Sequence, residues 1–484
     1  MYFVDSSEET RMIYLSRSPS RWLAGLIVLL VARSVVNAQP IELLTIAQEQ
    51  KFNATDASIG AMFGNSIDMD NDVAIIGANG VAVDGVQVGA AYIYRFDGKQ
   101  WIEEASLSAS GEPERNGYGR TVAISGDFAV VGANRNSDIA PSSGAVYVYR
   151  FDGRKWSEEA KLTASDAAAQ RTFGTWVAMR DSTLFVSGGT VDVGGTVVSG
   201  VYVFRYDGKQ WIEEAILRPL DGQEEDAFGA SVAVSGDWAI IGAPAHATEG
   251  FRLGAAYWFQ RIDGFWVEMQ RFIPDRFARF GWSVSIDGGA AVVGKPGPSF
   301  SDDSGSAYVF RFDGADWIHS DTLFLPVGGR KGDDFGQSVS IDNGLIAVGV
   351  FDDAKNYESG SAYVFENSDE EWVLRAKLID SDDGVEYRDD FFGSAVAISA
   401  RKALVGSPRN GPQSFQPGAV YAFDLDPLPC PQDVDRDGQL DVFDVFALLE
   451  AFASQDLTAD WNRSSSFTAN DIFEFLEDFS QGCP

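Results

Sequence analysis

An aromatic–glycine pair recurs seven times along the chain, as Phe63-Gly64, Tyr118-Gly119, Phe173-Gly174, Phe228-Gly229, Phe280-Gly281, Phe335-Gly336 and Phe392-Gly393. Successive glycines lie 55, 55, 55, 52, 55 and 57 residues apart. So regular a period requires a repeat architecture. A unit of this size cannot bury its own apolar face and must stack on its neighbours. Whatever every copy shares is scaffold, so function must lie where the copies differ or outside the array.

The second copy shows what one unit is. Tyr118 to Ser125 alternates around Val122 and Ile124, and Gly126-Asp127 turns into the apolar run Phe128 to Asn134. A polar loop leads to Gly144-Ala-Val-Tyr-Val-Tyr-Arg-Phe151, and the tight-turn dipeptide Asp152-Gly153 leads into Trp156 to Leu162. Four β-rich runs separated by turn signals predict a four-stranded antiparallel unit. Such units, repeated four to eight times, build a β-propeller, and seven copies predict seven blades. Small residues in the first two strands suit the crowded inner end of a blade. The Tyr and Trp of the last two suit the wide outer end. Trp101, Trp156, Trp211, Trp266, Trp317 and Trp372 recur in one strand context. That recurrence reads as packing between blades rather than as a ligand-stacking set.

The ends of the array are unequal. The seventh copy runs Gly418 to Asp424 and then stops without a fourth strand, while an orphan segment over 43–55 precedes the first copy. Gln50 to Thr55 sits as far from the first Phe-Gly as Ala160 to Ser165 does from the third. The N-terminal strand is therefore expected to complete blade seven and remove the exposed sheet edges.

These residues resemble FG-GAP repeats, the family of the integrin α-subunit propeller and of many bacterial surface and secreted proteins. Phe228-Gly229, Val232-Ala-Val234 and Ile241-Gly242-Ala243-Pro244 carry the likeness, which extends over about 43–424. Integrin-like copies often hold calcium between the first two strands. Here that link is as short as Ser125-Gly-Asp127 or Ser235-Gly-Asp237, too poor in carboxylates to encircle an ion that takes six to eight oxygens. The links between strands two and three and between blades share one face and vary in length. They include 134–143, 245–253, 297–304, 351–359 and 409–417, with acidic stretches at 221–226 and 380–390. That face is where a protein or glycan ligand is expected.

Residues 1–38 read as a signal peptide. Arg17 and Arg21 precede the apolar run 22–32, and Val36-Asn37-Ala38 precedes a cut before Gln39. An uncleaved anchor and initiation at Met12 are the alternatives. No later run is apolar for long enough to span a bilayer, so the mature chain is expected to be secreted or at the cell surface. A net charge of −34 repels nucleic acid and anionic lipid.

Composition shifts at about 426, and residues 427–484 form a second module; the propeller is assigned 39–426. Asp433, Asp435, Asp437, Asp441 and Asp444 occupy positions 1, 3, 5, 9 and 12 of a loop with Gly438 at position 6 and Gln439 at position 7. Carboxylates in that pattern, with a turn glycine and a backbone carbonyl from Gln439, are the ligand set of a calcium loop. A weaker copy offers Asp460, Asn462, Ser464 and Asp471. Each loop precedes an apolar helical stripe: Val445, Leu448, Leu449 and Phe452, then Ile472, Phe475, Leu476 and Phe479. Two such units resemble a dockerin, the module that plugs into cohesin receptors, and the terminal Gly482-Cys483 resembles its Gly-Cys-ended variant. The two cysteines, Cys430 and Cys483, flank the module, and in an exported protein a disulfide between them is expected.

The fold expected is an all-β seven-bladed propeller followed by a small all-α calcium-loop domain. The chain has two histidines, His246 and His319, in different repeats, and no nucleophile elbow, phosphate loop or zinc spacing. The function expected is non-catalytic binding or adhesion, with Ca2+ as cofactor. Its partners would be a cohesin-like or cell-surface receptor and a protein or glycan ligand. The alternative is a polysaccharide-active hydrolase or lyase, since carboxylate pairs suffice for sugar chemistry and dockerins accompany such enzymes.

Overall fold

A computed structural model describes residues 45–47, most of 50–425, and the helical stretches 442–454, 472–473 and 475–476. Within 50–425 it leaves out 57, 111–114, 192–196, 224, 249, 275–278, 298–303, 326–332, 351–359, 369–370, 381–389 and 412–415. The signal-peptide reading of 1–38 falls outside the described residues. Among those residues no helix is long and apolar enough to cross a membrane.

The strands form a seven-bladed propeller. Blade one is Ser66–Asp70, Val73–Ala78, Ala90–Phe96 and Trp101–Leu107, hydrogen-bonded in that order. The second strands are buried throughout, as at Val73–Ala78 and Leu345–Val350, because blades cover both faces of them. Continuous apolar runs of this kind are what burial on two sides demands. The outer strands alternate instead, as at Trp101–Leu107. A β-bulge interrupts the pairing of strands three and four at the same step in blades one to six, after Ile93, Val148, Val203, Trp258, Val309 and Val364. A bulge re-aims an edge strand and discourages further pairing.

The N-terminal closure is as the sequence predicts, with one correction. Gln50–Phe52 pairs antiparallel with Ala419–Asp424 and supplies the fourth strand of blade seven. The preceding Thr45–Ala47 does not belong to that blade. It pairs parallel with Lys377–Ile379 of blade six, which becomes a five-stranded sheet. The orphan segment therefore spans two blades, and periodicity could not reveal this because no other copy has an equivalent.

The core is divided rather than single. Seven apolar clusters lie one at each junction between blades, and the cluster of the 7/1 junction joins Leu404, Val420 and Ala422 to Phe63, Ile76 and Tyr92. Trp101, Trp156, Trp211, Trp317 and Trp372 are buried in them, which makes the tryptophans packing groups. Burying one such large side chain contributes on the order of 2 kcal/mol. The aromatic–glycine pair now has a physical cause. Its seven glycines have φ between 77° and 92°. A Cβ on Gly119 would also lie 2.1 Å from the Ala90 carbonyl oxygen of the preceding blade. The left-handed backbone and the close approach together admit only glycine.

Candidate functional site

The first strands ring the central channel, and their inner edges have no neighbouring strand. The unpaired N–H groups find side chains of the preceding blade instead. Blade one gives three acceptors: Ser66 Oγ takes the Val122 N–H at 3.2 Å, Asp68 Oδ2 takes Ile124 at 2.8 Å and Asp70 Oδ2 takes Gly126 at 2.6 Å. Blade two uses Thr121 and Ser125, blade five Ser285 and Asp287, blade six Ser340 and Asp342. Ser399 Oγ closes the ring by accepting from Asn71 N at 2.9 Å. Blade three places Trp176, Ala178 and Arg180 at these three positions and makes no such bond.

The ring concentrates carboxylates. Asp68 keeps some surface open to the channel, yet the surrounding walls strip its solvation and push its pKa up to about 7. Backbone donors and Arg180 oppose the shift, and neighbouring Asp70 adds to it. Burial also raises Asp342, with repulsion from Asp287 and Asp70. Among the described residues no group of three or more His, Cys, Asp or Glu side chains is arranged to hold a metal ion.

A second set of polar groups lies at the variable-loop end of the blades. The aromatic residue of six of the seven aromatic–glycine pairs packs edge-on against a Tyr of the third strand, as in Phe173–Tyr202 at 5.2 Å and Phe228–Tyr257 at 5.4 Å. That Tyr hydroxyl donates to an aspartate of the incoming inter-blade loop, Tyr202 to Asp166 at 2.6 Å and Tyr257 to Asp221 at 3.1 Å. Tyr92 and Asp56 repeat the pair. Three residues before the glycine stands a buried polar side chain: Asn116, Arg171, Asp226, Asp333 or Asp390. In blade four Asp226 Oδ2 lies 3.0 Å from His246 Nδ1, and Tyr257 OH lies 3.3 Å from the same nitrogen. In blade seven the histidine is replaced by Asn410, which donates to Asp390 at 3.4 Å and to Tyr421 at 2.9 Å. Burial and the nearby Asp380 push the Asp390 carboxyl up to about 8.

These contacts revise the sequence reading of the acidic stretches. Asp226 and Asp390 are buried and fasten loops to blades, and Asp221, which stays exposed, is engaged by Tyr257 and Arg271. His246 is 4% exposed and occupies a position where another blade has asparagine, so it belongs to the same fastening. His319 is exposed, beside the rings of Phe272, Tyr308 and Phe310. The recurring polar residue three positions before the glycine is legible in the sequence, whereas its burial is decided by the blade packing.

The comparison with known families agrees with this geometry. The FG-GAP repeat matches the chain seven times, over residues 46–94, 101–149, 156–204, 211–259, 266–310, 323–365 and 372–423. The chain belongs to the FG-GAP repeat family. Each match begins in or beside an outer strand and ends in the third strand of the next blade, so the matched unit bridges a junction. No curated protein matches the chain.

Beyond the FG-GAP array the structure describes a helix, Val442–Ser454. Leu448 is buried with Phe475, and Val445, Ala451 and Phe452 pack against them. The two helical copies agree residue for residue at an offset of 27: Val445 with Ile472, Phe446 with Phe473, Leu448 with Phe475, Leu449 with Leu476. Phe446 and Leu449 are 57% and 40% exposed, Phe473 and Leu476 67% and 39%. Asp444 is the third residue of this helix. Asp433, Asp435, Asp437, Gln439, Asp441, Asp460, Asn462, Ser464 and Asp471 lie outside the described residues, as do Cys430 and Cys483.

Proposed function

We propose that this FG-GAP protein is a secreted or cell-surface, non-catalytic binding protein attached through its C-terminal module. The propeller is a rigid support whose variable loops meet a protein or glycan ligand. The module is dockerin-like and seats on a cohesin-like or cell-surface receptor when calcium is bound. Asp433, Asp435, Asp437, Asp441 and Asp444, with the Gln439 carbonyl, would hold the ion, and their donor chemistry suits a hard cation. Asp460, Asn462, Ser464 and Asp471 would form a weaker second site.

The observation that carries this reading is the matched exposure of the two helical copies. Each buries one apolar residue, Leu448 or Phe475, and leaves two large ones in solvent. Paired exposed apolar residues on a small domain mark a recognition surface. Calcium would order the helices that present it. Calorimetric titration of the full chain with calcium tests the proposal: Asp433→Ala should weaken uptake by at least about tenfold, the loss of one charged ligand. Unchanged uptake in that variant removes the assignment. Incubation with a polysaccharide panel should release no reducing ends or unsaturated products, and their release would return the enzyme reading.

A further inference from the structure

Four junctions between blades contain an aromatic slot. In blades one, two, three and five the hairpin joining strands three and four contributes a ring pair, such as Tyr206 and Trp211 in blade three or Phe312 and Trp317 in blade five. The first residue of the second strand in the preceding blade fills the slot. Phe128 lies 5.0 and 5.2 Å from Tyr206 and Trp211, and Trp238 lies 5.0 and 5.6 Å from Phe312 and Trp317. Read around the ring, the seven residues at that position are Val73, Phe128, Thr183, Trp238, Ala290, Leu345 and Lys402. Lys402, at the 7/1 closure, is the one cation among them.

A lysine cannot fill an aromatic slot as Phe or Leu does, because its ammonium seeks water or a partner. Lys402 Nζ stands 4.3 Å over the Phe96 ring and 3.3 Å from Asp424 Oδ2. Beside it remains a cavity of about 210 Å³, walled by Phe96, Trp101 and Phe423, with Lys99 and Gln50 at its lining. In a chain of net charge −34 this lining holds two lysines and no carboxylate. The nearest acids are already engaged. Asp97 accepts from the Lys99 and Gln100 N–H groups, and Asp424 faces Lys402.

We propose that this cavity binds a small carboxylate carrying an apolar group of about one ring. An apolar cavity of about 150 Å³ accommodates benzene, so the space here suits a ring with a charged substituent. Lys402 has three donors, of which Asp424 uses one, and exposed Lys99 can close on the same anion. The site also joins the two ends of the propeller chain. Gln50, from the N-terminal strand, donates to the Trp101 carbonyl at 2.9 Å and accepts the Trp101 N–H at 2.7 Å. A ligand lodged between Lys402 and Trp101 therefore bridges blade seven and blade one, and binding should stabilise the closed ring by mass action.

The test uses the full chain with sodium benzoate as probe and benzyl alcohol as its neutral counterpart. Ligand-observed NMR should give a benzoate Kd of about millimolar, as expected for so few atoms. Thermal unfolding should shift upward in parallel. Lys402→Leu places an aliphatic side chain in the slot, as Val73 does against Phe151 and Trp156 at the one/two junction. It should fold with an unchanged or raised Tm and lose benzoate affinity by at least about tenfold, the value of one good charged contact. Lys99→Gln, at an exposed position, should weaken binding several-fold without affecting Tm. Absence of benzoate binding to the parent, equal binding to Lys402→Leu, or benzyl alcohol binding as tightly as benzoate would each overturn the proposal.

Discussion

The junction between blades one and two and the junction between blades three and four share a backbone plan and differ in how they are fastened. At the first, Ser66, Asp68 and Asp70 all accept from the inner edge of blade two. Gly77 also lets the Gly119 carbonyl approach to within 2.3 Å of where a Cβ would stand. At the second, Trp176, Ala178 and Arg180 accept nothing, and Ser187 replaces the strand-two glycine. Both junctions retain an apolar cluster. The three/four junction has instead the Arg261–Glu214 ion pair, at 2.7 Å, between its outer strands. A blade can therefore stack without the channel-side hydrogen bonds that fasten blade two to blade one.

Replacing the two aromatic–glycine glycines with alanine should separate the junctions most. At Gly119 the new Cβ meets the backbone carbonyl of Ala90 at 2.1 Å, which cannot move alone. At Gly229 it meets side-chain carbons of Val201 and Ser187 at 2.9 and 3.0 Å, which can yield. Both substitutions strain a left-handed backbone, but Gly119→Ala should cost about 4 kcal/mol and Gly229→Ala only about 2 kcal/mol. Denaturant unfolding of the two variants checks the order; equal costs would mean that the junctions are equally tight.

Removing fasteners should matter next. Ser66→Ala combined with Asp70→Ala deletes two hydrogen bonds and should lower stability by about 2 kcal/mol. The reverse experiment is Ala178→Ser with Arg180→Ser, which offers acceptors to the N–H groups of Val234 and Gly236. It should raise the unfolding free energy by about 1 kcal/mol. No gain would show that this seam is held at a spacing the hydroxyls cannot bridge.

A further test concerns pH. Asp68 and Asp390 titrate near 7 and 8 in the folded chain, above the carboxylate range of an unfolded one. Folded protein thus binds protons that unfolded protein has released. Their contribution is fully present below about pH 4 and is lost as pH rises to about 8. Denaturant midpoints measured at pH 5 and pH 8 should show this fall. Asp68→Asn, in the one/two junction, and Asp390→Asn should each flatten it, since an amide mimics the protonated acid. Arg180→Ser, in the three/four junction, should steepen the fall, since Arg180 opposes the upward shift of Asp68.

The sequence by itself determined the blade count, the four-strand unit and the N-terminal completion of blade seven. All three follow from periodicity, and periodicity is local information repeated. It also located the calcium-loop pattern, whose ligand spacing is contiguous in the chain. Tertiary structure decided what each unit meets across a junction. Only there do Ser66 and Val122 become partners, Asp226 and Asp390 turn inward, and Thr45–Ala47 add to blade six. The same holds for Lys402, an ordinary strand residue in the sequence and the occupant of an aromatic slot in the fold. A repeat specifies its own strands, but the contacts between repeats join residues some 55 positions apart, and single substitutions there change the contacts without disturbing the period.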